Sequence, residues 1–119
     1  MKEPRISSDY LRDMQVAGKK CLQFIDGFTI ETFVQDQKTI SAVVRELEVI
    51  GEAAKRIPED VRELNQAIPW KAICGMRDRV IHHYFDVQLD IVWSTIVEGI
   101  PELLANLEAL QQRLSTAKD

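Results

Sequence analysis

Apolar residues recur every three or four positions along this chain, and no stretch of useful length alternates between apolar and polar. That period places them on one face of an α-helix and leaves little for a β-strand to bury. The clearest stripe is Ile40, Val43, Val44, Leu47, Ile50 and Ala54, opened by Asp36 or Thr39 as N-cap. An earlier helix carries Leu11, Met14, Cys21, Phe24, Ile25 and Phe28, with Ser7, Ser8 and Asp9 as candidate caps and a weak spot at Gly18. Thr29 caps a short turn that holds Ile30 and Phe33. Pro58 and Pro69 each stand where a new helix begins. The first of these buries Val61, Leu64 and Ile68, the second Trp70, Ile73, Val80, Ile81 and Tyr84. Asp90 reads as the N-cap of a last helix with Trp93, Ile96, Val97, Ile100, Leu103, Leu104, Leu107 and Leu110 inward. Gly99 and Pro101 predict a kink within it rather than a stop. Gly51 lies on the second stripe and marks a place where another helix packs closely. The expectation is an all-α, mainly antiparallel bundle of four to five main helices, because the connections are short.

Length allows one domain, spanning residues 1–119. With 45% hydrophobic and 29% charged residues the chain has the means to build a core, and wholesale disorder is excluded. Lys and Arg number 15 against 19 Asp and Glu, a net charge of -4, which argues against a coat that wraps polyanions but not against a small local site. The apolar runs are far too short for a membrane helix, and no apolar run follows Met1-Lys2-Glu3-Pro4-Arg5 as a secretory signal requires. Cytoplasm is the expected compartment. Cys21 and Cys74 lie in separate segments without C-x-x-C spacing, so both read as small buried hydrophobes.

The chemistry concentrates in Met76-Arg77-Asp78-Arg79-Val80-Ile81-His82-His83-Tyr84-Phe85-Asp86, which holds both histidines of the chain. On a helix that starts near Trp70, Arg77 interrupts the apolar stripe. A guanidinium there is costly unless it meets a carboxylate, a partner subunit or a phosphate. The plainest partner is Glu48 or Glu52, and Glu46, Glu48 and Glu52 otherwise form a solvated face. Asp78 and His82 at i, i+4 make a poor metal site without a second pair, and no Glu-x-x-His pairs, G-x-S-x-G elbow or Gly-rich phosphate loop exists.

Arg77, four residues, His82, one residue and Tyr84 match the R-x4-H-x-Y signature of the HEPN superfamily. Ile50-Gly51-Glu52-Ala53-Ala54-Lys55-Arg56, Ile68-Pro69-Trp70, Gly75-Met76-Arg77-Asp78-Arg79 and Asp90-Ile91-Val92-Trp93 make the chain resemble HepT-type toxins from about Tyr10 to Leu110. The resemblance implies a type VII toxin–antitoxin component: a metal-independent endoribonuclease, needing no cofactor, with tRNA as its target. It also implies a homodimer whose motif helices face each other, alone or within a larger toxin–antitoxin complex, and an MntA-like nucleotidyltransferase antitoxin as partner. Arg77 and His82 would be catalytic, Tyr84 the acceptor of AMP, and Asp78, Arg79 and Lys71 supporting or RNA-binding residues; His83 has no assigned role. The alternative is a non-catalytic HEPN module that dimerises and binds nucleotide or a nucleotidyltransferase.

Overall fold

The computed structural model describes residues 4–79 and 88–117. These residues form helices and turns, with no strand among them. Three helices of 18 residues frame the fold: α1 (Ser7–Phe24), α3 (Gln37–Ala54) and α7 (Ile100–Ala117). Shorter pieces join them: α2 (Ile30–Phe33), α4 (Glu59–Arg62), α5 (Trp70–Cys74) and α6 (Leu89–Ser94). Beyond a turn at Gly75 the chain is helical again over 76–79. The expected inward positions Val80, Ile81 and Tyr84 lie outside the described residues.

The helix starts follow from local hydrogen bonding. Thr29 accepts from the Thr32 amide at 3.3 Å, and Asp36 from the Thr39 amide at 3.0 Å, so α2 and α3 open where their caps predict. At α1 the expected caps fall inside the helix. Ile6, in extended conformation, is the N-cap, and Asp9 reaches back from the third helical position to accept its amide at 3.0 Å. Asp90 is likewise not a cap. Helix α6 begins at Leu89 after Gln88, and Asp90 sits in its first turn, where a carboxylate suits the positive end of the helix dipole.

Both long neighbours of α1 run antiparallel to it. Cys21 Sγ lies 3.9 Å from the Val43 carbonyl near one end of α3, while Tyr10 and Asp13 face Glu52 and Arg56 near the other. Against α7, the Gln111 amide donates to the Ser8 carbonyl at 3.0 Å, while Gly18 faces Ile100 and Leu104. The core between these helices includes Leu11, Met14, Ile40, Leu47, Ile50, Ile96, Ile100 and Leu107, all essentially closed to water.

Helices α6 and α7 are joined through a π-helical turn at Thr95–Gly99, in which the Ile100 amide donates to the carbonyl of Thr95, five residues back. Pro101 follows without an N–H to offer, and the wider turn absorbs that missing bond without ending the helix. The expected kink therefore takes the form of a π-turn. The extra residue also rotates the face: Val92 is buried where Trp93 was expected to be, and Val97 is exposed. Trp93 is half-buried with its ring 5.1 Å from that of Phe33. Phe24, expected inward, is exposed at the last residue of α1.

At Gly51 the backbone of another segment comes close. A Cβ there would lie 3.2 Å from the Ile73 carbonyl oxygen and 3.4 Å from the Arg77 amide nitrogen, both rigid backbone atoms. The close packing predicted at this glycine is thus present, between α3 and segment 73–77. Arg62 ties down the chain between them, donating to the carbonyls of Ile57 at 2.9 Å and Ala54 at 3.1 Å at the end of α3. The Trp70 indole N–H is shared by the carbonyls of Arg62 and Asn65.

Cys21 is buried as expected, whereas Cys74 is only half-buried, with an Arg62 guanidinium N–H directed at its sulfur at 3.4 Å.

Two substitutions separate packing from helix propensity. Gly51→Ala gains up to about 1 kcal/mol of propensity but forces backbone apart, and is expected to lower stability by about 1 kcal/mol net. Gly99→Ala, with nothing within 4 Å of its new methyl, is expected to raise the melting temperature. Thermal melts followed by circular dichroism check both signs. A third prediction concerns alkali. Burial pushes the Cys21 thiol from 9.0 up to about 12. Above pH 9 the unfolded chain releases this proton and the folded one keeps it, so the stabilisation it contributes is full below pH 9 and lost towards pH 12. Urea midpoints across that window should fall more steeply for the wild type than for Cys21→Ala.

Candidate functional site

Arg77 stands two residues after Gly75, on the turn of helix pressed against Gly51. Met76 takes the inward position at 8% exposure, and the Arg77 side chain, 52% exposed, runs out along the polar edge of α3. The expectation that Arg77 interrupts a buried stripe is therefore corrected. It lies at the stripe's rim, where a guanidinium keeps most of its water and bears little burial cost.

Its nearest carboxylate is Glu52, one of the two partners expected, with Nη1 3.8 Å from Oε1. Glu52 also receives Lys55 Nζ at 3.2 Å. A long, exposed and shared ion pair holds Arg77 only loosely, and its guanidinium makes no hydrogen bond among the described residues. It is chemically available.

The guanidinium opens onto a groove of about 420 Å³ between α1 and α3, lined by Tyr10, Asp13, Arg45, Glu48, Glu52, Arg56 and others. Arg5 closes its α1 rim, bonded to Asp13 at 2.9 Å and lying 4.7 Å over the Tyr10 ring. Arg45 and Arg56 were not singled out by the sequence reading. The available signal was their spacing: Arg45, Glu48 and Glu52 follow one polar stripe of α3, and Arg56 comes in the turn just past its end.

The remaining site candidates are dispersed. Asp78, Arg79 and Lys71 are all exposed. Arg79, two positions after Arg77, faces a different groove of about 480 Å³, mainly apolar, between α5 and the α6–α7 helix, beside Thr95 and Glu98. Arg77 and Arg79 thus serve opposite sides of their segment within one chain. His82, His83 and Tyr84 lie outside the described residues. No group of three potential metal ligands occurs among the described residues, and no helix there is long and apolar enough to cross a membrane.

The family model described as "Ribonuclease HepT-like" matches residues 14–110. The chain belongs to the HepT-like ribonuclease family. The matched residues run from the middle of α1 into α7 and include Arg77 and the α3 side of the groove. One similar relative is "Probable ribonuclease HepT" of Thermococcus cleftensis, 42% identical over 108 residues that span 91% of this chain and 98% of that protein. Another is "Putative RNase TTE0752" of Caldanaerobacter subterraneus subsp. tengcongensis, 41% identical over 113 residues, 95% of this chain and 98% of that protein. No solved structure gives a significant match.

In this HepT-like chain the Arg77–Glu52 pair contributes little to folding. Glu52→Gln is expected to change unfolding free energy by less than about 0.5 kcal/mol, as for other exposed ion pairs. Urea denaturation of the two proteins measures it directly.

Proposed function

We propose that the chain is an endoribonuclease that cuts RNA without a metal ion, with tRNA as substrate class, and acts as the toxin of a type VII toxin–antitoxin pair. The observation that carries this reading is an exposed, loosely paired Arg77 opening onto a charged groove, in a chain of the HepT-like ribonuclease family. The RNA supplies its own nucleophile. Its 2'-hydroxyl oxygen attacks the adjacent phosphorus, the bond from phosphorus to the 5'-oxygen breaks, and the products are a 2',3'-cyclic phosphate and a 5'-hydroxyl. DNA has no such nucleophile and is left intact.

Arg77 and His82 divide the work. Arg77 stabilises charge growing on the non-bridging phosphate oxygens with two parallel N–H donors, a geometry that lysine lacks. His82 takes the 2'-hydroxyl proton or returns one to the leaving 5'-oxygen. On a continuous helix two residues five apart point about 140° from each other. A second copy facing the first across a two-fold axis brings Arg77 of one protomer and His82 of the other to a shared phosphate. Asp78 is proposed to orient an arginine of the motif, and Lys71 and Arg79 to hold RNA beyond it.

Tyr84 is the proposed switch. An MntA-like nucleotidyltransferase antitoxin transfers AMP from ATP to its hydroxyl, with pyrophosphate leaving. The phosphate so attached occupies the place of the RNA backbone next to Arg77 and blocks cleavage.

Incubation of full-length protein with total tRNA in EDTA tests the reading. Wild type is expected to leave cyclic-phosphate ends, Arg77→Ala and His82→Ala each to lose at least about a hundredfold in rate, and an all-DNA copy of the substrate to stay intact. Undiminished cleavage by either folded variant refutes its role. Absence of cleavage by wild type with an unmodified Tyr84 favours the non-catalytic binding module. Mass spectrometry after incubation with the nucleotidyltransferase and ATP should find AMP on the peptide that contains Tyr84.

A further inference from the structure

The groove between α1 and α3 holds cations that the motif does not account for. Arg45 and Arg56 both line it, both are exposed, and neither has a carboxylate within ion-pair distance among the described residues. The carboxylates nearby are largely engaged: Asp13 by Arg5 at 2.9 Å, Glu52 by Lys55 at 3.2 Å. Glu48 alone faces the groove without a cation bound to it. The groove is lined by Arg45, Arg56 and Arg77 against Asp13, Glu48 and Glu52, and two of those carboxylates are already engaged by Arg5 and Lys55 from outside it, in a chain whose total charge is -4. Guanidiniums left without a carboxylate are where an acidic protein tolerates a polyanion.

Arg45 stands on α3, and Arg56 follows 11 positions later in the turn two residues past its end. Arg77 reaches α3 at Glu52, between the two. A volume of about 420 Å³ gives room for one nucleotide unit. The free guanidiniums match phosphate bidentately.

We propose that this groove carries a single strand of RNA past Arg77, with Arg45 and Arg56 gripping phosphates on either side of the scissile one. The proposal rests on the ribonuclease reading for the role of Arg77. It adds two strand-binding residues, one on α3 and one in the turn just past its end, that act in binding and not in the chemical step. In a chain with an acidic excess, the strand runs where these arginines stand without carboxylate partners.

The test compares full-length wild type, the double variant Arg45→Ala/Arg56→Ala, the charge-retaining Arg45→Lys/Arg56→Lys and Lys20→Ala, an exposed α1 control outside the groove. Each is titrated with a short single-stranded 2'-O-methyl RNA, which lacks the nucleophile, and assayed for cleavage of the same sequence as ordinary RNA. The alanine double variant is expected to bind about tenfold more weakly, and the slope of log affinity against log salt to fall by about 1.4, or about 0.7 per lost phosphate contact. Its KM should rise with kcat unchanged, the lysine variant should keep the salt slope, and Lys20→Ala should match wild type. Affinity and salt slope unchanged in the alanine variant, while cleavage still depends on His82, overturns the strand-binding role and leaves the ribonuclease reading standing. Arginine-dependent binding without any cleavage upholds the groove and removes the ribonuclease reading. Loss of nucleotidyltransferase binding with RNA affinity intact makes this face a protein-docking surface and overturns the proposal.

Discussion

Segment 73–77 lies directly on the backbone of α3 at Gly51, and that approach sets the position of much else. No side chain intervenes between the two helical segments, so Met76 goes inward and the next residue emerges at the edge of α3. Arg77 owes its location to a methyl group that is absent 26 positions earlier in the chain. Arg62 and Trp70 reinforce the junction by bonding the carbonyls at the end of α3 and in the following loop, where an unpaired buried backbone group would be costly.

The electrostatics of the site follow from this placement. A buried arginine would need a fully satisfied partner and would be consumed by it. At the rim, the guanidinium keeps its solvent and has only a distant share in Glu52. Such a pair adds little stability, and for the same reason it costs little to replace with a phosphate. The neighbouring Arg45 and Arg56 put three cations on one groove, where two of the three carboxylates, Asp13 and Glu52, already have partners of their own.

Much of the fold was legible because helix signals are local. The stripe on α3 is buried at Ile40, Val43, Leu47, Ile50 and Ala54, and the Thr29 and Asp36 caps are where their side-chain chemistry puts them. Misreadings occurred where another force intervened. Val97 turned outward because the π-turn ahead of Pro101 adds a residue to the helical repeat. Asp9 works from inside α1 because Ile6 is extended and leaves its amide pointing back along the helix. For the site, the motif drew attention to Arg77, but periodicity put it in the core, since a three-or-four spacing does not distinguish Met76 from Arg77 as the inward residue.

Sequence by itself determined the helical class, the starts of α2 and α3, the close packing at Gly51, and the family to which the residues around Arg77 belong. These depend on side-chain type at short spacing, and short spacing is what a chain displays. Tertiary structure alone decided that Arg77 is exposed, that Arg79 faces the opposite groove, and that Tyr10, Arg45, Arg56 and Arg77 meet across α1 and α3. Those are distances between residues as many as 67 positions apart, set by how closely one backbone approaches another, and no local periodicity encodes them.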